Sequence, residues 1–164
     1  MFTFFKKYIA SIFLLVSVIA GSVNIDILNK SISYYFNLQL ILIYLFKISN
    51  PSLNFGKGVY LFLISIINDS LNGLFFGTSA ILYFIVFAVA AFQSTIKLRS
   101  IFISEWFSFG LSLILAYLAY YALISFSGKD LIFLNIFINF GFTLIGYPLL
   151  WFIIPKSYLN NAIR

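Results

Sequence analysis

The sequence predicts an all-α membrane protein, and three properties of the chain lead to that class. Hydrophobic residues make up 63% of the 164 residues, charged residues make up 9%, and the mean hydropathy is +1.08. A soluble domain is about 45–50% apolar and about 25% charged, so this chain has too much apolar surface to hide from water. Its apolar segment 80–92 does not alternate with polar residues, which favours helices over the strands of a membrane barrel.

Charged and turn residues divide the chain into six apolar stretches, which we expect to form six transmembrane helices in one bundle. About 20 helical residues cross a hydrocarbon layer of about 30 Å, because an α-helix rises about 1.5 Å per residue. The predicted spans are approximately 8–27, 34–48, 55–71, 75–93, 102–126 and 131–154. We therefore expect residues 1–164 to form a single integral-membrane domain.

The first stretch follows Lys6 and Lys7 and has some features of a secretion signal. The small residues of "VIAGS" (18–22) are typical of a cleavage site. The apolar run continues beyond them through Ile27 and Leu28, however, and is then longer than the apolar part of a typical signal peptide. We expect an uncleaved first helix.

Turn residues and charges separate the other stretches. In "KISNPSLNFGKG" (47–58), Pro51 ends the second helix, and two glycines loosen the start of the third. The third and fourth helices are joined by "NDSLNG" (68–73), which is so short that the two helices must form an antiparallel hairpin. Charged residues precede the fifth and sixth helices: Lys97, Arg99, Lys129 and Asp130.

The basic residues predict the orientation of the bundle. With the N-terminus inside, eight basic residues fall on the inner side and only two, Lys30 and Lys129, on the outer side. The eight are Lys6, Lys7, Lys47, Lys57, Lys97, Arg99, Lys156 and Arg164. Because Lys and Arg in short loops remain in the cytoplasm, we expect both termini there. The same rule accounts for the net charge of +6 without a nucleic-acid partner.

The composition argues against an enzyme. The chain has no Cys and no His, which excludes disulfides, thiol nucleophiles and histidine ligands for zinc or haem. Its four acidic residues supply neither a base–nucleophile pair nor a row of carboxylates through the bilayer, as a proton relay would need. We expect no catalytic residues, no cofactor and no bound metal.

Asp69 is an acidic residue at the outer end of the third predicted helix, with Asn68 and Asn72 beside it. Such side chains can cap helix ends, and a carboxylate is favourable at the N-terminus of the helix that follows. An ionisable residue within a membrane segment is also, by default, a candidate contact site. The two interpretations are compatible.

Four residues of the sixth predicted helix are candidates for helix packing. Asn135 and Asn139 are four residues apart and so share one helix face, and Gly141 and Pro148 follow. An amide in lipid needs a hydrogen bond to another helix, worth about 0.6–2 kcal/mol. At the inner side we expect Glu105 to form an exposed ion pair with Lys97 or Arg99.

The order of these features resembles the rod shape-determining protein MreD family, six-helix proteins of the bacterial inner membrane. The strongest match is "GKGVYLFLISIINDSLNGLFFGTSAILYFIVFAVAAF" (56–92), where Asp69, Gly73 and Gly77 keep the family spacing D-x3-G-x3-G. Weaker matches lie at "NLQLILIYLF" (37–46), "NPSLNFGKG" (50–58), Trp106 and "NFGFTLIGYP" (139–148).

The resemblance implies a non-enzymatic, multi-pass scaffold of the cell-elongation machinery in the inner membrane. Proteins of this family associate with the single-span protein MreC and help couple MreB filaments to the polymerase RodA and its transpeptidase in peptidoglycan synthesis. The partner-binding site would then be the hairpin between the third and fourth helices. We assign to it Asp69, Asn68, Asn72, Gly73 and Gly77.

A second class of protein has a similar size and helix number, namely the substrate-binding subunits of energy-coupling-factor vitamin transporters. Such a subunit needs a small-molecule pocket near the outer face, lined by convergent polar and aromatic groups. The residues available for such a pocket are Asn37, Gln39, Asp69, Asn139 and Tyr147.

The predicted orientation can be tested with reporter fusions. We expect a reporter fused after Arg164 to be active only when it is of the type that works in the cytoplasm, because the inner side holds most of the basic residues. A fusion within the 68–73 turn should behave in the opposite way. Extracytoplasmic activity of the fusion after Arg164 would contradict the orientation.

Overall fold

The computed structural model describes five helices and one short β pair. They cover residues 35–49, 55–95, 101–126 and 133–153, with residues 12, 15, 16, 18, 19, 26, 27, 30 and 31 of the preceding segment. The helices are α1 Leu38–Ser49, α2 Phe55–Leu71, α3 Thr78–Gln93, α4 Ile101–Phe126 and α5 Phe133–Ile153. The strands β1 Asp26–Ile27 and β2 Lys30–Ser31 pair in antiparallel register.

Helix α1 lies at the centre of the described bundle. Residues 40–48 are all buried, because α3, α4 and α5 contact this helix. Helix α2 packs against α3, which also contacts α4, and α4 contacts α5. The middle of α1, "LILIYLF" (40–46), is apolar on every side, which is typical of a fully enclosed position. The core therefore forms around α1, and the other helices expose apolar side chains.

The observed starts of α1 and α3 differ from the predicted ones, because local interactions at a helix end determine where the helix begins. Within the predicted span 34–48, α1 begins at Leu38, where the Asn37 side-chain oxygen accepts a hydrogen bond from the Leu40 backbone N–H at 3.3 Å. The predicted span 75–93 begins at Thr78. The range of α2 coincides with the predicted 55–71.

The prediction that the first helix extends to Ile27 is wrong. Asp26 and Ile27 form a strand that pairs with Lys30–Ser31, in the register Asp26↔Ser31 and Ile27↔Lys30. The sequence "VNIDI" (23–27) alternates apolar and polar residues, which is the period of a strand. Of the predicted span residues, those that lie outside the described part of the chain are 8–11, 13, 14, 17, 20–25, 34, 131, 132 and 154.

Two of the described helices are long and apolar enough to cross a membrane. They are Phe102–Phe126 and Phe133–Phe152. Helices α1 and α3 are also apolar but shorter. At about 1.5 Å per residue, the 26 residues of α4 extend about 39 Å, more than the hydrocarbon layer of about 30 Å requires.

Two glycines of α5 differ sharply in the space around them. A Cβ atom built on Gly146 would clash with the Phe36 ring, whereas one built on Gly141 would meet no heavy atom within 4 Å. Phe36, which precedes α1, therefore packs closely against α5 at Gly146. Gly141, which was predicted to pack against another helix, lies beside open space.

This difference predicts opposite effects of two alanine substitutions. Gly146→Ala should destabilise the protein by about 1–3 kcal/mol, because the ring of Phe36 must move away from the new methyl group. Gly141→Ala should be neutral or stabilising by up to about 1 kcal/mol, since alanine favours a helix over glycine. Thermal unfolding of both purified variants in one detergent measures the difference, and equal stabilities would contradict the packing at Gly146.

Candidate functional site: the Asp69 hairpin

The Asp69 carboxylate closes the hairpin between α2 and α3. Its Oδ2 accepts a hydrogen bond from the Gly77 backbone N–H at 2.7 Å, and its Oδ1 accepts one from the Ser79 N–H at 2.9 Å. The Asp69 carbonyl also accepts from the Leu74 N–H at 2.9 Å. The first N–H groups of a helix lack partners within that helix, and a carboxylate there is favourable electrostatically. Asp69, at the end of α2, thus caps the start of α3.

The two glycines of the D-x3-G-x3-G spacing give the turn its shape. Gly73 has φ +60° and Gly77 has φ +99°, both in the left-handed region that residues with a Cβ seldom adopt. A Cβ on either glycine would meet no heavy atom within 4 Å, so the requirement for glycine comes from the backbone angle and not from space. The spacing therefore specifies a turn that returns the chain to the Asp69 carboxylate.

Asn68 joins the hairpin to the central helix. Its Nδ2 donates to the Ser79 hydroxyl at 2.7 Å, and its Oδ1 accepts from Gln39 Nε2 of α1 at 3.0 Å. Gln39 Oε1 in turn accepts from the Tyr83 hydroxyl of α3 at 2.5 Å. Asn72 donates to both the carbonyl and the Oδ1 of Asn68. One polar network consequently links α1, α2 and α3.

Burial separates the predicted site residues into two groups. Asp69 and Asn68 are buried, and both carboxylate oxygens of Asp69 are occupied by backbone N–H groups. These contacts agree with the prediction that Asp69 caps a helix. Because its side chain is buried, Asp69 has no exposed surface for direct contact with a partner. Asn72 and Gly73 are exposed, at the tip of the turn. The same tip exposes three large apolar side chains: Leu71, Phe75 and Phe76.

A second polar cluster joins α1, α4 and α5. Asn139 Oδ1 accepts from the Tyr117 hydroxyl of α4 and, at 3.3 Å, from the Thr143 hydroxyl. The Thr143 hydroxyl oxygen accepts from the Asn37 backbone N–H at 3.0 Å, at the start of α1. Asn139 thus makes a bond between helices of the kind that its position predicts, and Asn135, one turn earlier, is half-buried.

Glu105 does not occupy the exposed position expected for it. Its side chain is buried, and Oε2 accepts from the Tyr147 hydroxyl at 3.3 Å and from Trp151 Nε1 at 3.1 Å, both on α5. The Glu105 carbonyl accepts from the Tyr44 hydroxyl at 2.9 Å. The predicted partners Lys97 and Arg99 lie outside the described residues. Glu105 lies inside the helix bundle because α5 brings two aromatic donors to it.

Sequence reasoning missed the partners on α3 and α4. Ser79 and Tyr83 complete the hairpin network, and Gln93 bonds to the Ser104 and Ser108 hydroxyls of α4, both at 2.6 Å. Single hydroxyl and amide groups carry no local signal, because each has its partner on another helix. The amide of Gln93, directly after the apolar run 80–92, was a local hint.

The described polar groups bind one another. Among the described residues, no buried side-chain nitrogen or oxygen lacks a hydrogen-bond partner. Such an arrangement holds helices in register.

The chain matches no protein-family model, and no curated protein or solved structure is significantly similar to it.

The cap predicts a graded effect of substitutions at Asp69. Asp69→Ala should lower the free energy of unfolding by about 1–3 kcal/mol, because it leaves the Gly77 and Ser79 N–H groups unpaired inside the protein. Asp69→Asn should cost less, since one oxygen remains as an acceptor. Ser70→Ala, an exposed neighbour, should change stability by no more than about 0.5 kcal/mol.

Thermal unfolding of the three purified variants in detergent measures this order. Equal stability of Asp69→Ala and Ser70→Ala would show that the carboxylate does not support the hairpin.

Proposed function

We propose that the protein is a non-enzymatic membrane scaffold of the MreD type, with six spans in one domain and both termini in the cytoplasm. It lies in the bacterial inner membrane and docks an MreC-like single-span protein on the outer side. Through that contact, it helps connect MreB filaments, indirectly, to a RodA-type polymerase and its transpeptidase. It uses no cofactor, metal or nucleic acid.

The observation that carries this proposal is the division of the described residues between a closed polar interior and an apolar exterior. Buried polar groups are satisfied within the bundle, whereas large apolar side chains face outward on four helices. Contiguous exposed apolar surface marks contact with a membrane or another protein. Examples from each face are Phe55, Phe62, Ile81, Phe92, Phe107, Leu118, Phe137 and Phe152. Lipid and neighbouring helices suit such an exterior.

The tip of the Asp69 hairpin supports the choice of docking site. The Asp69 cap joins the two ends of the turn, and the left-handed angles of Gly73 and Gly77 give the turn its shape. Phe76, whose side chain is 75% exposed, lies on this tip. Aromatic residues are enriched in protein interfaces, so an exposed aromatic side chain here is a candidate contact. Asp69 acts in this proposal by shaping the tip and not by touching the partner.

The transporter alternative is less well supported by the arrangement of its pocket residues. Gln39 and Asp69 belong to the hairpin network, whereas Asn37 and Asn139 belong to the second cluster. Tyr147 donates to Glu105, further along α5. These side chains are directed to protein partners in three places, which favours a packing role over convergence on a single ligand.

Co-purification with an MreC-like partner tests the scaffold proposal. Phe76→Ser should reduce the amount of partner recovered with the tagged protein while insertion and thermal stability persist, because it removes an exposed anchor. Asp69→Ala should reduce recovery as well, together with stability. Phe107→Ser is the matched control, since Phe107 is 71% exposed on α4, away from the hairpin.

Equal recovery of the partner with Phe76→Ser and Phe107→Ser would remove the hairpin tip from the interface. Failure of the unmodified protein to retain any such partner in mild detergent would contradict the scaffold function itself.

A further inference from the structure

Pro148 interrupts the hydrogen bonding of α5. A proline has no backbone N–H, so the carbonyl four residues earlier, that of Leu144, loses its partner within the helix. The indole Nε1 of Trp106, on α4, donates to the Leu144 carbonyl at 3.2 Å. In apolar surroundings an unpaired carbonyl is costly, so the indole takes the place of the missing N–H group.

The residue before Trp106 holds the same part of α5. Glu105 Oε2 accepts from the Tyr147 hydroxyl at 3.3 Å and from Trp151 Nε1 at 3.1 Å. These two donors lie on either side of Pro148 in the sequence. Glu105 and Trp106, which we call the latch, therefore contact α5 immediately before and after its broken hydrogen bond.

The part of α5 before the proline also has contacts outside the latch. Asn139 accepts from the Tyr117 hydroxyl of α4, and Gly146 packs against the Phe36 ring. After the proline, the described residues are 149–153. Within them, Trp151 bonds to Glu105 and its ring lies 4.8 Å from that of Phe102. The two parts of α5 thus have separate attachments to α4.

We propose that α5 contains a hinge at Pro148 and that the Glu105–Trp106 latch holds it in the described conformation. A missing backbone hydrogen bond makes a helix easiest to bend at that point. Release of the latch lets the segment after Pro148 change direction while the segment that contains Asn139 stays in place. This inference does not depend on the scaffold function, because it uses only contacts between α4 and α5.

Spin-label distances test the hinge, and the cysteine-free sequence makes each introduced pair of thiols unique. One pair replaces Ile81 and Phe152 by cysteine, which joins α3 to the end of α5. The control pair replaces Ile81 and Phe137, which joins α3 to the other part of α5. All three positions are exposed. Both pairs are measured in the unmodified background and in the double variant Trp106→Phe/Trp151→Phe, which keeps both rings but removes the indole N–H donors to the Leu144 carbonyl and to Glu105.

We expect Trp106→Phe/Trp151→Phe to add a second distance, shifted by several ångströms, to the Ile81–Phe152 distribution only. Adding Pro148→Ala should return it to a single distance, because residue 148 then supplies the N–H for Leu144. Broadening of both label pairs would indicate general loosening and overturn the hinge. An unchanged distribution in Trp106→Phe/Trp151→Phe would overturn the latch, and a second distance that persists after Pro148→Ala would overturn the hinge.

Discussion

The backbone N–H groups at the start of a helix need acceptors, and in this chain the Asp69 carboxylate supplies them for α3. Water is the usual alternative partner, but the Asp69 side chain is fully enclosed. The two bonds to Gly77 and Ser79 fix where α3 begins and how it lies against α2. Asn68, the neighbouring residue, then reaches Ser79 and Gln39, so the position of the hairpin also determines that of α1. The rest of the bundle is built on a three-helix unit that this carboxylate organises.

The remaining helices are attached to that unit by further polar contacts at different levels. The Asn139 cluster ties α5 to α4 and to the start of α1, and the Glu105 cluster ties the later part of α5 to the beginning of α4. Between the two levels the packing is aromatic: the rings of Phe109 and Tyr147 are stacked at 4.7 Å, with Tyr44 against both. Apolar packing alone gives little direction between helices in lipid, so these few hydrogen bonds specify the register.

The parts of this structure that depend on composition could be predicted from the sequence. The helix starts and the burial of Glu105 could not, because each depends on an individual hydrogen bond or backbone angle. The all-helical class was recognisable from composition, five of the predicted stretches correspond to α1–α5, and the range of α2 coincides with its prediction. The start of α1 depends on the Asn37 cap and that of α3 on the backbone angle of Gly77, and neither is visible in hydropathy. The burial of Glu105 was missed because its partners, Tyr147 and Trp151, lie more than forty residues away.

The central position of α1 has a consequence for biosynthesis. The Asn37 backbone N–H bonds to Thr143, which follows it by 106 residues in the chain. At a synthesis rate of about 5–20 residues per second, the ribosome needs roughly 5–20 s to make that partner. During this interval α1 has been made but α5 has not, so the Asn37 N–H lacks the acceptor that it has in the folded protein. Among the described helices, the one that is innermost in the finished protein is therefore made first and completes its contacts only with the last.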